Sequence, residues 1–438
     1  MQNPDNIDVI IVGAGSGGVA CATELAKFGK NVVVIERGSF SGSKNMFGGA
    51  IFSNVVEQIY PGFKENAPIE RIIKKHSYVL LDNDTSVTIS YEDNKVKDNQ
   101  NQAIVVQRAK FDRWCQEEAQ KRGVFFAFDT VVRNLALDDT GKVVGVETDN
   151  EIYYANLVIL ADGVNSLLAR QIGLRNNFKT SDVILSVKEV FEFENEEIIN
   201  QRLGLNSDEG QLYELVGGAA KNMFGMGILY TNKTSVSVGL GVAIDDLVKH
   251  KKKPYELLDE LKQYEPVKSI IKDAKPIEYS AHLIPEATVK NIPQLYSDGV
   301  MVIGDAAMLV NNLHFEGTNL AMMSGKYAAE VAYLAIERND FSKNTLKEYE
   351  NKIKQSFIYK DIKSYKNVMK TLNKNSDSFM GFYIEKANEF FKIFTEVDSV
   401  PKKQKYRNFI LNTIFGRCIC KLFKDIYNVV KMVFEAIF

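Results

Sequence analysis

The sequence predicts an α/β fold with three parts. These are a lobe of parallel strands and helices interrupted by a β-meander, a second and mostly antiparallel β lobe, and a helical C-terminal region. Three observations predict it. The chain opens with a strand–glycine loop–helix stretch, "DVIIVGAGSGGVACATELAKFGKNVVVIER", from Asp8. A second stretch of the same grammar, "GVMVIGDAAMLVNNLHFEGTNLAMMSGKYAAE", begins at Gly299. Between them lie short β-rich runs separated by turn signals.

A chain of 438 residues is long for one core and suggests two lobes. Its 45% hydrophobic and 25% charged residues place it among globular proteins. A net charge of −2 leaves no basic field for nucleic acid. No run reaches the roughly 18 uninterrupted apolar residues of a membrane span. The first strand follows a short polar lead, so the expectation is no secretion signal and a cytoplasmic location. The cysteines, Cys21, Cys115, Cys418 and Cys420, are too few for a disulfide framework. Cys21 and Cys115 read as small buried residues, and two thiolates in C-x-C do not make the usual four-ligand cluster or zinc set. The histidines, His76, His250, His282 and His314, show no ligand spacing, so no metal site is expected.

In the first device, Gly13, Gly15 and Gly18 form G-x-G-x-x-G between a buried strand and a helix. Gly13 allows the tight turn, Gly15 lets backbone approach a pyrophosphate, and Gly18 lets helix pack on strand. Ala14, Ser16 and Gly17 complete the loop. The helix from Val19 aims its amides and positive dipole end at phosphate. Glu36, closing the next strand about 20 residues on, suits ribose hydroxyls and an unphosphorylated dinucleotide, with Arg37 beside it. In "GSFSGSKNMFGGAIF", Gly48 and Gly49 would let backbone lie against a flat ring, and Lys44 would bring a cation near it; a solvated surface loop is the plain alternative.

"IVVQRAKFDRWCQEEAQKRGV" reads as a strand ending at Arg108, then a helix with Phe111, Trp114, Cys115 and Ala119 on one face. A cation at that junction can meet phosphate. "FFAFDTVVRNLAL", "KVVGVETD" and "EIYYANLVILADG" form a meander containing Val131, with a hairpin turn at "DDTGK" and a strand ending in Asp162-Gly163. This interrupted lobe is the layout of FAD-binding oxidoreductases of the glutathione-reductase and p-hydroxybenzoate-hydroxylase type. β-Rich runs and one helix, "PYELLDELKQY", then make a second lobe expected to shape the substrate side. The second device adds Gly304 and Asp305 at a strand end, and Gly317, Thr318 and Asn319 at a helix start. FAD has two halves to grip, and its ring gathers negative charge on reduction, so a second positive helix end favours FAD over NAD. Expected boundaries are residues 1–180 with 288–340 for the FAD lobe, 181–287 for the β lobe, and 341–438 for the helical region.

The stretches "GAGSGG…VIERG…GSKNMFGG", "FDRWCQEEA", "VILADGVNSLLARQIGL", "YSAHLIPE" and "GVMVIGDAAMLVNN…EGTNLAMMSGKYAAE" resemble the FixC flavoproteins. These are relatives of electron-transfer-flavoprotein:quinone oxidoreductase. The resemblance runs from about residue 5 to about residue 375. It implies FAD, electrons taken from electron-transfer flavoprotein subunits, and their passage toward membrane quinone. It further implies a FixABCX-type, bifurcating complex in which a ferredoxin-like iron–sulfur subunit supplies the cluster that longer relatives carry on their own cysteines. Gly13, Gly15, Gly18, Glu36, Arg108, Asp162 and Asp305 match FAD contacts, and Gly317 to Asn319 match the flavin-facing helix start. No side chain reads as a catalytic residue. The residues leave two alternatives open: a small-molecule flavoenzyme such as a prenyl-chain reductase or aromatic hydroxylase, and a binder that has lost its cofactor.

The tail, "PKKQKYRNFILNTIFGRCICKLFKDIYNVVKMVFEAIF" from Pro401, is basic and apolar at helical spacing. It reads either as an amphipathic helix in an anionic membrane interface or as a hairpin docked on the body or a partner. A peripheral position on the cytoplasmic face of the membrane is the corresponding expectation.

Overall fold

The computed structural model describes residues 7–44, 49–96, 101–286 and 288–437. The chain divides into two compact units: Met1–Ile72, Lys97–Val183 and His282–Lys363 in the first, and Ile73–Val96, Ile184–Ala281 and Ser364–Phe438 in the second.

The first unit is built on a six-stranded sheet in the order Tyr296–Ser297, Val300–Val302, Leu157–Leu160, Val9–Val12, Val32–Ile35, Phe125–Ala127. All neighbours are parallel except Tyr296–Ser297 on its partner. The three middle strands are fully buried, which is why they read as unbroken apolar runs. Register pairs Val12 with Leu160 and Leu160 with Val302. The chain therefore leaves three adjacent strands at one end of the sheet, where Gly13, Ala161 and Ile303 follow. The Gly13 amide donates to Ile35 O at 2.8 Å, the Ala161 amide to Val12 O at 2.8 Å, and the Ile303 amide to Leu160 O at 3.0 Å.

Two helices pack on this sheet end to end with those loops: Ser16–Lys27 and Thr318–Arg338. They cross on glycine. A Cβ at Gly325 would lie 2.3 Å from the Gly17 carbonyl oxygen, and one at Gly17 would lie 2.9 Å from the Ala321 oxygen. Only bare backbone permits that approach. The meander is a three-stranded antiparallel sheet of Val132–Leu137, Val143–Thr148 and Ile152–Tyr154. The expected single strand "EIYYANLVIL" is two, because Ile152–Tyr154 pairs in the meander while Leu157–Leu160 pairs in the main sheet.

The second unit carries an antiparallel sheet. Val183–Glu192 pairs with Ser235–Ala243, that strand with Gly225–Thr231, and that one with Glu209–Gly217. Leu215, Leu229, Val236, Val238 and Leu240 bury one face with Leu257, Leu258 and Leu261 of the helix Pro254–Leu261. The expected lobe of residues 181–287 compares with 184–281 here, joined by Ile73–Val96. The reason is pairing: the strand Ile69–Leu81 lies beside Glu209–Gly217, and Ser86–Glu92 pairs onto it. The helical region beyond residue 340 is divided. Leu346, Tyr349 and Ile353 of the helix Lys343–Gln355 sit in the first unit's core, whereas residues from Ser364 onward group with the second.

Candidate functional site

The site is assembled at the strand ends of the first unit. Gly13 takes φ +106°, and a Cβ there would meet Ala161 O at 2.3 Å. Gly18 is closed off by the Gly13 carbonyl, 2.0 Å from where its Cβ would stand. Gly15 differs: nothing lies within 4 Å of its Cβ position, so the loop is open there. The helix that follows has Gly15 as its N-cap, with no side-chain cap and no acid in its first turn. Its first amides thus remain available to an anion.

Glu36 fixes this loop from the next strand. Its Oε2 accepts from the Ala14 amide at 2.8 Å and its Oε1 from the Gly38 amide at 2.7 Å. Each carboxylate oxygen has a further lone pair to offer a hydroxyl. Ser41 Oγ donates to Ala14 O at 2.5 Å, tying the same loop from the other side. Thr130 donates its amide to Glu36 O, which sets Val131 beside this end. Arg37 and Lys44 are both exposed. Gly49 is buried, its carbonyl accepting from the Val106 amide. Gly48 lies outside the described residues.

Arg108 is the connector. It is the first residue of the helix Arg108–Lys121, not the last of the strand, which ends at Val106. Asp112, one turn on, receives it at 2.9 Å and 2.8 Å. Its remaining donors reach Ser16 Oγ at 2.6 Å and Thr318 Oγ1 at 3.1 Å, one from each of the two helix starts. The second start, with Gly317 as N-cap, likewise has no side-chain cap or early acid, and nothing lies within 4 Å of a Cβ on Gly317. Asn319 is buried and clasps the Phe52 backbone, accepting at 3.1 Å and donating at 2.9 Å.

Between these ends lie two acids. Asp162 Oδ1 is buried without a partner, while Oδ2 accepts from the Leu168 amide at 3.3 Å. Gly163 beside it takes φ +72°. Asp305 follows Gly304, whose amide donates to Ser324 Oγ at 3.0 Å. Desolvation pushes the Asp305 carboxyl up to about 6, with Arg108 and Arg175 pulling the other way. An orphaned buried carboxylate, open space over two glycines and two uncapped helix starts joined by one arginine fit a long dinucleotide with hydroxyl and phosphate groups.

Sequence reasoning missed several residues here. Arg175 is buried and donates to Ala306 O at 3.1 Å. Asp112 gave a signal, its i,i+4 spacing from Arg108. Glu286 sits in the quoted "HLIPE" stretch. Its Oε2 is buried without a partner, and burial pushes its carboxyl up to about 8. Burial, then the charges of Arg108 and Arg37, hold the His282 imidazole below its usual value.

The site and fold define a flavoprotein: the FAD binding domain family matches residues 6–356. Solved structures show the same fold. A geranylgeranyl bacteriochlorophyll reductase-like protein from Thermoplasma acidophilum aligns with TM-score 0.70 at 23% identity, covering 86% of this chain and 90% of that one. A myxobacterial chondrochloren halogenase, described as FAD-dependent, aligns with TM-score 0.67 at 17% identity, covering 94% and 90%. The chain is an FAD-dependent oxidoreductase.

Two sequence relatives narrow the class. Protein FixC of Bradyrhizobium diazoefficiens is 37% identical over 428 residues, covering 97% of this chain and 98% of the relative. Protein FixC of Escherichia coli K12 is 36% identical over 412 residues, covering 93% and 95%. The ETF-QO/FixC family C-terminal domain matches residues 368–434, so the likeness extends through the tail. The chain belongs to the FixC family.

Arg108→Met is expected to strand the buried Asp112 carboxylate and lower stability by about 3–5 kcal/mol, with loss of bound FAD. Arg108→Met with Asp112→Leu is expected to regain most of the stability in thermal unfolding but not the FAD, read from absorbance of the purified protein. Glu286 has a folded pKa above its unfolded one, so the folded chain holds the extra proton between them and stability falls as pH rises from about 4.5 to about 8. Denaturant titrations at pH 6 and pH 8 are expected to show this decline, on the order of 2 kcal/mol, in the wild type and its absence in Glu286→Gln.

Proposed function

We propose that this chain is the FAD-carrying subunit that takes electrons from an electron-transfer flavoprotein and passes them toward membrane quinone. It works within a FixABCX-type complex that bifurcates electrons. It sits peripherally on the cytoplasmic face of the membrane, and its partners are the flavoprotein subunits and a ferredoxin-like iron–sulfur subunit.

The observation that carries this reading is the match to FixC relatives over nearly the whole chain, C-terminal ETF-QO/FixC domain included. The cysteines support the division of labour. Cys21 and Cys115 are buried in the first unit's core and only Cys418 and Cys420 are exposed. A four-iron cluster takes four thiolates, which fits a reading in which the ferredoxin-like subunit supplies them.

FAD, when bound, supplies the redox chemistry. The chain's own residues supply position and charge. The amides from Gly15 to Gly18 bind the diphosphate, Glu36 orients the adenosine ribose, and Asp162 and Asp305 receive hydroxyls. Arg108 holds both helix starts in register, and the uncapped amides from Gly317 to Asn319 would offer a positive dipole end to the flavin ring, which would favour its reduced form.

The test is direct. The FAD-loaded protein is mixed with reduced electron-transfer flavoprotein, the iron–sulfur subunit and a water-soluble quinone analogue. The expected outcome is reoxidation of the flavoprotein that depends on both this chain and the quinone. No quinone reduction with FAD fully bound would contradict the reading.

A further inference from the structure

Three acids of the site have something to answer their charge. Glu36 sits on backbone amides, Asp305 has Arg108 and Arg175 near it, and Asp162 has amides and Arg175. Glu286 has neither kind of support. It is 7% exposed, and its Oε2 is buried without a partner. Burial alone raises its carboxyl, with no contribution from a charged group among the described residues. The titratable groups on the segments that meet it are otherwise engaged. Asp182 Oδ1 accepts from Asn291 Nδ2 at 3.0 Å and its Oδ2 from the Lys179 amide at 2.8 Å. Glu316 Oε2 accepts from Asn311 Nδ2 at 3.2 Å, and the charge of His314 acts on Glu316 and Asp361. His282 faces the charges of Arg108 and Arg37.

The backbone fixes Glu286 beside the second helix start. Its amide donates to Asp182 O at 2.7 Å, and the carbonyl before it, Pro285 O, accepts from Asn312 Nδ2 at 2.8 Å. Asn312 belongs to a hairpin closed by Asn311 and Glu316, whose amides donate to each other's carbonyls at 2.9 Å and 3.1 Å. The next residue is Gly317, N-cap of the helix Thr318–Arg338. On the other side, His282 of the same strand end feels Arg108, which joins both helix starts. All these residues belong to the first unit. The unanswered acid is therefore tied to the end of the site that would hold the flavin ring.

Proton balance gives that position a use. Reduction of a quinone to a quinol takes two electrons and two protons. A positive helix end beside the ring favours the anionic form of reduced FAD, which brings two electrons and one proton. One proton is missing. An ionised carboxylate or an arginine cannot give it, whereas a buried neutral carboxyl can.

We propose that Glu286 is the acid that supplies the second proton to the quinone. Its O–H bond breaks as an O–H bond forms on the quinone oxygen, and the electron pair comes from the reduced cofactor. The anionic ring, the quinone and the neutral acid become a neutral ring, a quinol and a carboxylate, so charge balances, and the carboxylate then takes a proton from water. The proposal rests on the quinone reading for its acceptor and deepens it by naming the proton source.

The experiment uses the full FAD-loaded chain, reduced with dithionite. Its reoxidation is timed with two acceptors: a water-soluble quinone analogue, which takes electrons and protons, and ferricyanide, which takes electrons alone. Glu286→Gln is expected to lower the ratio of the quinone rate to the ferricyanide rate about hundredfold. Glu286→Asp, which keeps an acid, is expected to recover part of it. In the wild type the ratio should fall as pH rises through about 8, where the carboxyl loses its proton, and in Glu286→Gln it should stay level over that range. An infrared difference spectrum between the oxidised and reduced protein reads the acid itself: a carbonyl band of a protonated carboxyl should shift in the wild type and be missing in Glu286→Gln. An unchanged ratio, an equal loss with both acceptors, or a spectrum without that band overturns the proposal. A wild type that reduces ferricyanide but not the quinone removes the quinone reading. The infrared band then decides for Glu286: a shift on reduction sustains it as proton donor to another acceptor that takes protons, and no shift overturns it.

Discussion

The glycine contact between the helices Ser16–Lys27 and Thr318–Arg338 governs the arrangement of the site. Gly325 has the Gly17 carbonyl where its Cβ would be, and Gly17 faces Ala321 in the same way. Any side chain at either position drives the helices apart. With them apart, Arg108 cannot reach Ser16 at one helix start and Thr318 at the other. Two strand–loop–helix devices far apart in the chain thus act as one, because their helices touch backbone to backbone and their strands flank a third. A long dinucleotide needs that geometry: two positive helix ends, a fixed distance apart, on one side of a sheet.

Charge in the first unit follows from the same arrangement. A buried arginine requires compensation, and Asp112 provides it within one turn of the same helix. Glu36 places its carboxylate on backbone amides, which stiffens the loop that meets phosphate. Asp162 Oδ1 is left buried and unpartnered, and an orphan of this kind in a site of open glycines indicates a hydrogen-bonding ligand. Glu286 is different, since burial leaves its carboxyl protonated near neutral pH.

Much of the site was legible because glycine and charge leave local signatures. The G-x-G-x-x-G loop, Glu36, the Arg108 junction and the Gly317 helix start follow from residue type and spacing, and the strand–loop–helix grammar set the main sheet. What was not legible depended on distant pairing. Nothing near Ile73–Val96 in the chain marks it as part of the second unit, since its partner strand is Glu209–Gly217. Arg175 and Glu286 carry no pattern, because their burial comes from elements remote in sequence. In the tail, helical amphipathy was visible, but not that Asp425 and Arg417 would seat the polar side and turn the apolar side outward.

A crystal structure of the chain with FAD bound would show directly whether both helix starts hold one cofactor. The expected result is one elongated FAD, its diphosphate within hydrogen-bond distance of the amides from Gly15 to Gly18 and its ring edge at the amides from Gly317 to Asn319, with Arg108 still bridging Ser16 and Thr318. FAD held at only one of the two helix starts, or the two helices separated at Gly17 and Gly325, would contradict it.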